Sequence, residues 1–181
     1  LYQINMNITS IPLPPPNLFI TNYKLDTESM ISKLYQLKEI DLGNKISNIG
    51  GWQNSQQLDQ FKEFLPLKNL VKNTIKENLD KKISFDNMGI WGNISSTTHY
   101  NNIHNHSSTP SQFSGVYYLQ VFPDSGNIIF YDDLFLNKVE YAPVIGDLLI
   151  FPAYLQHSVS PNNNFKDRIS IAFNFQIKNL I

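Results

Sequence analysis

A chain of 181 residues with 41% hydrophobic and 13% aromatic content suits one domain and can bury enough apolar surface to offset the entropy of ordering it, which excludes bulk disorder. The net charge of −1 gives no sign of a nucleic-acid or anionic-membrane partner, and no apolar run is long enough to span a bilayer. The lack of cysteine excludes disulfides, zinc–thiolate sites, iron–sulfur clusters and thiol nucleophiles together.

Leu1–Ile11 lacks the basic stretch followed by an apolar run that marks a secretory leader, so a cytoplasmic protein is expected. Ile11–Pro16 is proline-rich and reads as extended, leading into a short strand at Leu18–Thr21. A helix follows: Asp26 or Thr27 can cap it, Glu28 lies in its first turn, and Met30, Ile31, Leu34, Leu37 and Ile40 recur at helical spacing. Gly43–Ser55 is polar and glycine-bearing and reads as a loop. A second helical stretch is marked by Leu58, Phe61 and Leu65, then beyond Pro66 by Leu67, Leu70, Val71, Ile75 and Leu79. From about Ile83 the texture changes to short runs rich in Ile, Phe, Tyr and Val. Ile83–Ser95, Gly115–Phe122, Ile128–Tyr131, Asp147–Phe151 and Arg168–Ile177 read as strands. Helices first and strands after predict a single, mainly β domain: residues 1–82 support, residues 83–181 form the β core, and helices brace one outer face.

Three of the four histidines could serve one site. His104 and His106 are two apart, and on an extended chain alternate side chains share a face, so both imidazoles can reach one metal. His157 comes after an apolar run, in a segment that reads as a strand. Neutral imidazole suits iron, zinc, copper or nickel. A His-x-His pair alone is more often solvated surface histidine, so the weight rests on the residues downstream of His157. In Arg168-Ile-Ser-Ile-Ala-Phe-Asn-Phe, Arg168, Ser170, Ala172 and Asn174 share one face, and Ile169, Ile171, Phe173 and Phe175 the core face. A guanidinium is a natural fork for a carboxylate, and a hydroxyl two residues on can assist it. The bland alternative is an edge strand with a solvent face. His99 lies outside the pattern. Asn93, on the strand through Trp91 that would pass near the metal, could contact a ligand but reads rather as a satisfied strand residue, and Ser111–Phe113 as a loop over the mouth or a substrate lid.

His104-Asn-His106, Ser114-Gly-Val-Tyr-Tyr-Leu, Gly146-Asp-Leu-Leu-Ile-Phe-Pro, His157 and Arg168-Ile-Ser, in that order, resemble the iron(II)- and 2-oxoglutarate-dependent dioxygenases of the prolyl-hydroxylase-like branch. They are closer still to a bacterial and phage 2-oxoglutarate–iron oxygenase family with a His-x-His motif. The likeness spans about Ile90 to Ile177. It implies a double-stranded β-helix, or jelly roll, with iron(II) at one mouth and 2-oxoglutarate as cosubstrate. The activity implied is hydroxylation of an unidentified small-molecule or peptide substrate with release of succinate and CO2. His157 matches the distal histidine ligand, Arg168 the arginine on the far carboxylate with Ser170 supporting it, and Tyr118 a tyrosine on the same carboxylate. Tyr117 would face the other side of its strand, and Gly146 matches a turn glycine. No catalytic group beyond the ligands is expected. A homodimer is compatible with the sequence; nucleic-acid and membrane partners are not expected.

One departure stands out. The superfamily's first motif usually carries a carboxylate where His106 stands. Either three histidines hold the metal or a carboxylate from elsewhere, Asp132 first, completes the set; Asn105 should point away. Two rival readings remain: a cupin-like three-histidine dioxygenase that uses no 2-oxoglutarate, and a non-enzymatic jelly-roll binding module.

Overall fold

Alternating apolar residues in the second half of the chain close two antiparallel sheets on each other in the computed structural model, which describes residues 9–11, 18–78, 84–132 and 137–178. The strands are β1 (Thr9–Ile11), β2 (Leu18–Asn22), β3 (Asn48–Ile49), β4 (Trp52–Gln53), β5 (Ser84–Ser95), β6 (Tyr100–His104), β7 (Phe113–Gln120), β8 (Ile128–Tyr131), β9 (Lys138–Tyr141), β10 (Asp147–Pro152), β11 (His157–Val159) and β12 (Arg168–Lys178). The major sheet runs β1-β2-β10-β7-β12-β5-β4 and the minor sheet β3-β6-β11-β8-β9. This is the helix-braced jelly roll expected from the sequence.

The period-two pattern sorts residues into two layers. Tyr117, Leu119, Leu148, Ile150, Ile169, Ile171, Phe173 and Phe175 face α1 (Thr27–Ile40) and α2 (Leu65–Asn78) through Met30, Leu34, Leu37, Leu67, Val71 and Ile75. Their strand neighbours Val116, Tyr118, Leu149 and Phe151 turn inward to meet Ile128 and Phe130 of the minor sheet. The helices therefore cover the outer face of the major sheet, and the space between the sheets is left for the site. Asp26 caps α1 by accepting from the Glu28 N–H at 3.2 Å. Gly92 lets α1 approach closely, since a Cβ there would lie 2.3 Å from Leu34 Cδ2.

Several expectations change. The loop expected over Gly43–Ser55 holds β3 and β4, so the first 82 residues also supply strands. Residues 58–64 are two 3-10 turns, not helix, and Pro66 is the second residue of α2, in the first turn where its missing N–H costs no bond. Ile40 is exposed at the end of α1. Phe113 is no lid: it opens β7 and stacks on Phe175 at 5.2 Å between ring centres, while the adjoining Gln112 accepts from the Ile177 N–H. Pro12–Pro16, Leu79 and Ile83 lie outside the described residues. No helix among the described residues is long and apolar enough to cross a membrane.

Candidate metal centre and anion pocket

Strand pairing brings the histidines together. His157 on β11 stands directly opposite His104 on β6, with their ring centres 4.2 Å apart. His106, just past β6 and anchored by its N–H on the Ala153 carbonyl at 2.7 Å, completes the triangle at 5.2 Å from His104 and 5.3 Å from His157. One potential donor nitrogen from each lies within 4.8 Å of the others. Among the described residues no carboxylate joins this group. Asp132 is held elsewhere, its Oδ2 accepting from the Asn137 N–H and side-chain amide. His99 accepts from the Ser96 N–H and is not in the cluster. Asn105 also borders the cavity rather than pointing away, because β6 ends at His104 and strict alternation ends with it; its Oδ1 accepts from the Ser107 N–H.

The ring nitrogens are prepared for metal. A carbonyl can only accept, so His104 Nδ1–H donates to Asn102 O at 2.8 Å and His157 Nδ1–H to Leu155 O at 2.9 Å. Both Nε2 atoms are thereby unprotonated, the form a metal ligand requires. Ser47 Oγ sits 3.3 Å from His104 Nε2. His106 Nδ1 lies 3.2 Å from Asn174 Nδ2, and Ser114 Oγ donates to Asn174 Oδ1 at 2.7 Å. A half-turn of the Asn174 carboxamide, with the Ser114 hydroxyl changing from donor to acceptor, would make His106 Nδ1–H the donor and bare its Nε2. Burial keeps all three rings neutral. It pushes His157 down to about 3 and His106 to about 4, each helped by charge repulsion from His104, and it lowers His104 itself. Three neutral nitrogen donors that share one point fit a divalent iron ion.

The same cavity, of about 420 Å³, contains Arg168, Ser170 and Tyr118. All three are buried, and Ser170 is in register with Tyr118 on β7. Arg168 Nη1 donates to Ser125 O at 2.7 Å and more weakly to Ser160 O at 3.5 Å. Gly126, at φ +95°, makes room for it, since a Cβ would fall 2.3 Å from Nη1. Among the described residues no carboxylate pairs with this guanidinium, and Nη2 and Nε have no protein partner. An unpaired buried cation is costly by several kcal/mol, and desolvation holds the Arg168 pKa below its ordinary value. Such an arrangement suits an anion. Tyr117, as expected, faces the helices and donates to Tyr23 O at 2.8 Å. Gly146 lies in the turn before β10 at φ +90°.

Sequence reading missed Ser47 and Gln53 as neighbours of the site, and it put Asn174 on the Arg168 face and Ser114 in a motif without giving either a role at the histidines. Asn93, for which ligand contact is the lesser of the two sequence readings, lines the cavity beside Trp91.

A sequence-family model described as "Putative 2OG-Fe(II) oxygenase" matches residues 131–174. No curated protein sequence matches the chain. Among solved structures, a Pseudomonas putida prolyl-4-hydroxylase superposes with TM-score 0.69 at 15% identity, covering 90% of this chain and 93% of that one. HygX from Streptomyces hygroscopicus, crystallised with nickel, 2-oxoglutarate and hygromycin B, superposes with TM-score 0.67 at 12% identity, covering 87% and 82%. The viral collagen prolyl hydroxylase of Paramecium Bursaria Chlorella virus-1, in its 2-oxoglutarate complex, gives TM-score 0.63 at 14% identity, covering 90% and 96%. At these identities the structural likeness establishes the fold; with the family match it supports the superfamily resemblance read from the sequence.

Proposed function

We propose that this chain, similar to 2OG-Fe(II) oxygenases in its fold and its 131–174 segment, is an iron(II)- and 2-oxoglutarate-dependent oxygenase that hydroxylates its substrate and releases succinate and CO2. His104, His106 and His157 are the proposed metal ligands, and Arg168, assisted by Ser170 and Tyr118, the holder of the cosubstrate's distal carboxylate. The observation that carries this reading is the buried guanidinium without a counter-charge in the same cavity as three clustered histidines, two of which have their Nε2 bared by Nδ1–H bonds.

When bound, the metal and cosubstrate supply the oxidising chemistry. The chain orients and encloses. The Nδ1–H bonds to Asn102 O and Leu155 O fix ring orientation at His104 and His157. Arg168 offers Nη2 and Nε as a fork, and the carbonyls of Ser125 and Ser160 keep its plane from turning. Phe151, Val116 and Ile128 wall the cavity with apolar surface that limits water.

Calorimetry on the metal-loaded protein tests this reading. 2-Oxoglutarate should bind, and Arg168→Ala should weaken it roughly 100-fold or more, because a charge-assisted pair to a desolvated carboxylate is lost. Arg168→Lys should recover only part, for lack of the planar fork. If wild-type protein loaded with one metal per chain binds no 2-oxoglutarate, the cupin-like or non-enzymatic reading replaces this one.

A further inference from the structure

Four polar side chains form a single row across the cavity floor. Gln53 on β4 is in register with Asn93 on β5, Asn93 with Ser170 on β12, and Ser170 with Tyr118 on β7, and all four line the cavity. The Ser170–Tyr118 half accompanies Arg168. The Gln53–Asn93 half extends to β4, the edge strand of the major sheet.

The two carboxamides differ from their structural neighbours. Asn54, one residue along, is fully engaged: its Oδ1 accepts from the Gly92 N–H and its amide donates to Gln56 O. Gln57 accepts from the Ile90 N–H. Gln53 is only 8% exposed, yet neither its carboxamide nor that of Asn93 has a hydrogen-bond partner among the described residues, and both border the cavity. Both carboxamides are open to the cavity, where each can donate and accept. Directly paired residues on adjacent antiparallel strands stand about 5 Å apart at Cβ, so both can engage one small group, one donating and the other accepting.

Charge narrows the ligand class. Among the described residues no Asp, Glu or Lys lines the cavity, and Arg168 is its only permanent charge. An ammonium would find no counter-charge, and the one cation is already assigned to the cosubstrate. Trp91, two residues from Asn93 on the same face of β5, lies 6.0 Å from the His106 ring and links this end of the row to the histidine cluster.

We propose that Gln53 and Asn93, with Trp91 beside them, form the substrate-recognition subsite, and that it takes an uncharged amide, a carboxamide or peptide-type group, rather than an ammonium or carboxylate. This rests on the oxygenase reading for its place in catalysis. The test uses zinc-loaded protein saturated with 2-oxoglutarate, which cannot turn over, and three probes of similar shape that differ only in the end group: propionamide, propionate and n-propylammonium. Saturation-transfer NMR should show propionamide binding at least tenfold more tightly than either charged probe. Gln53→Leu and Asn93→Leu should each weaken it at least tenfold. Gln53→Glu, which keeps the size and adds charge, should shift preference toward the cationic probe. Equal binding of the three probes, or undiminished binding of the neutral one in both leucine variants, would overturn the proposal. A separate titration of wild-type protein with 2-oxoglutarate alone reads the cosubstrate, so failure of the oxygenase reading is seen apart from failure of the subsite.

Discussion

At His106 a neutral imidazole stands where a facial triad would carry a carboxylate, so the proposed three-histidine set leaves a divalent ion its full charge. Asn174 and Ser114 lie behind it where a carboxylate would need no tautomer control. Replacing His106 by Leu should abolish metal binding. His106→Asp, shorter but anionic, should retain a measurable fraction, and His99→Ala should match wild type. Metal content after anaerobic iron loading reads all three; binding by His106→Leu equal to wild type would remove His106 from the ligand set. The trio was visible in the sequence because two histidines alternate on an extended segment and the third comes after an apolar strand. Ser47 was not, and Asn174 was legible only as a member of the Arg168 face, because only strand pairing places them against the imidazoles.

At the scale of elements, periodicity worked where segments were long. The core face of β12 was legible residue by residue, and so was the stripe Met30, Leu34 and Leu37 on α1. It failed for β3 and β4, since two residues carry no period, and both exist only because β6 and β5 offer partners. It failed again at residues 58–64, where apolar spacing mimics a helix but the true start is set by Pro66. The packing of α1 on β5 gives a quantitative check. Leu34 is fully buried and its side chain occupies the space above Gly92, so Leu34→Ala should leave a cavity and destabilise the fold by about 2–5 kcal/mol. Urea unfolding measures this; a loss under about 1 kcal/mol would mean the helix settles onto the sheet and refills the gap.

For the molecule as a whole, the buried His157 and the half-buried His104 and His106 make metal-free stability depend on pH. Their folded pKa values lie below the ordinary histidine value, about 3 for His157 and about 4 for His106, against about 6.5 in an unfolded chain. Between those limits the unfolded chain binds more protons, so stability should fall as pH drops from about 7 toward 4. The metal-free Tm should decline over that range, and His157→Leu should flatten the slope; a wild-type Tm unchanged from pH 7 to 5 would contradict the burial argument. The pairing of His104 with His157 across β6 and β11 has a mechanical consequence as well. β11 has three residues and β6 five, so their ladder is short and its opening should be frequent. An ion gripped from both strands acts as a rivet through that seam. Backbone amides of 100–104 and 157–159 should therefore exchange with deuterium much more slowly once metal is bound, while those of β7 and β12, at the centre of the major sheet, change little.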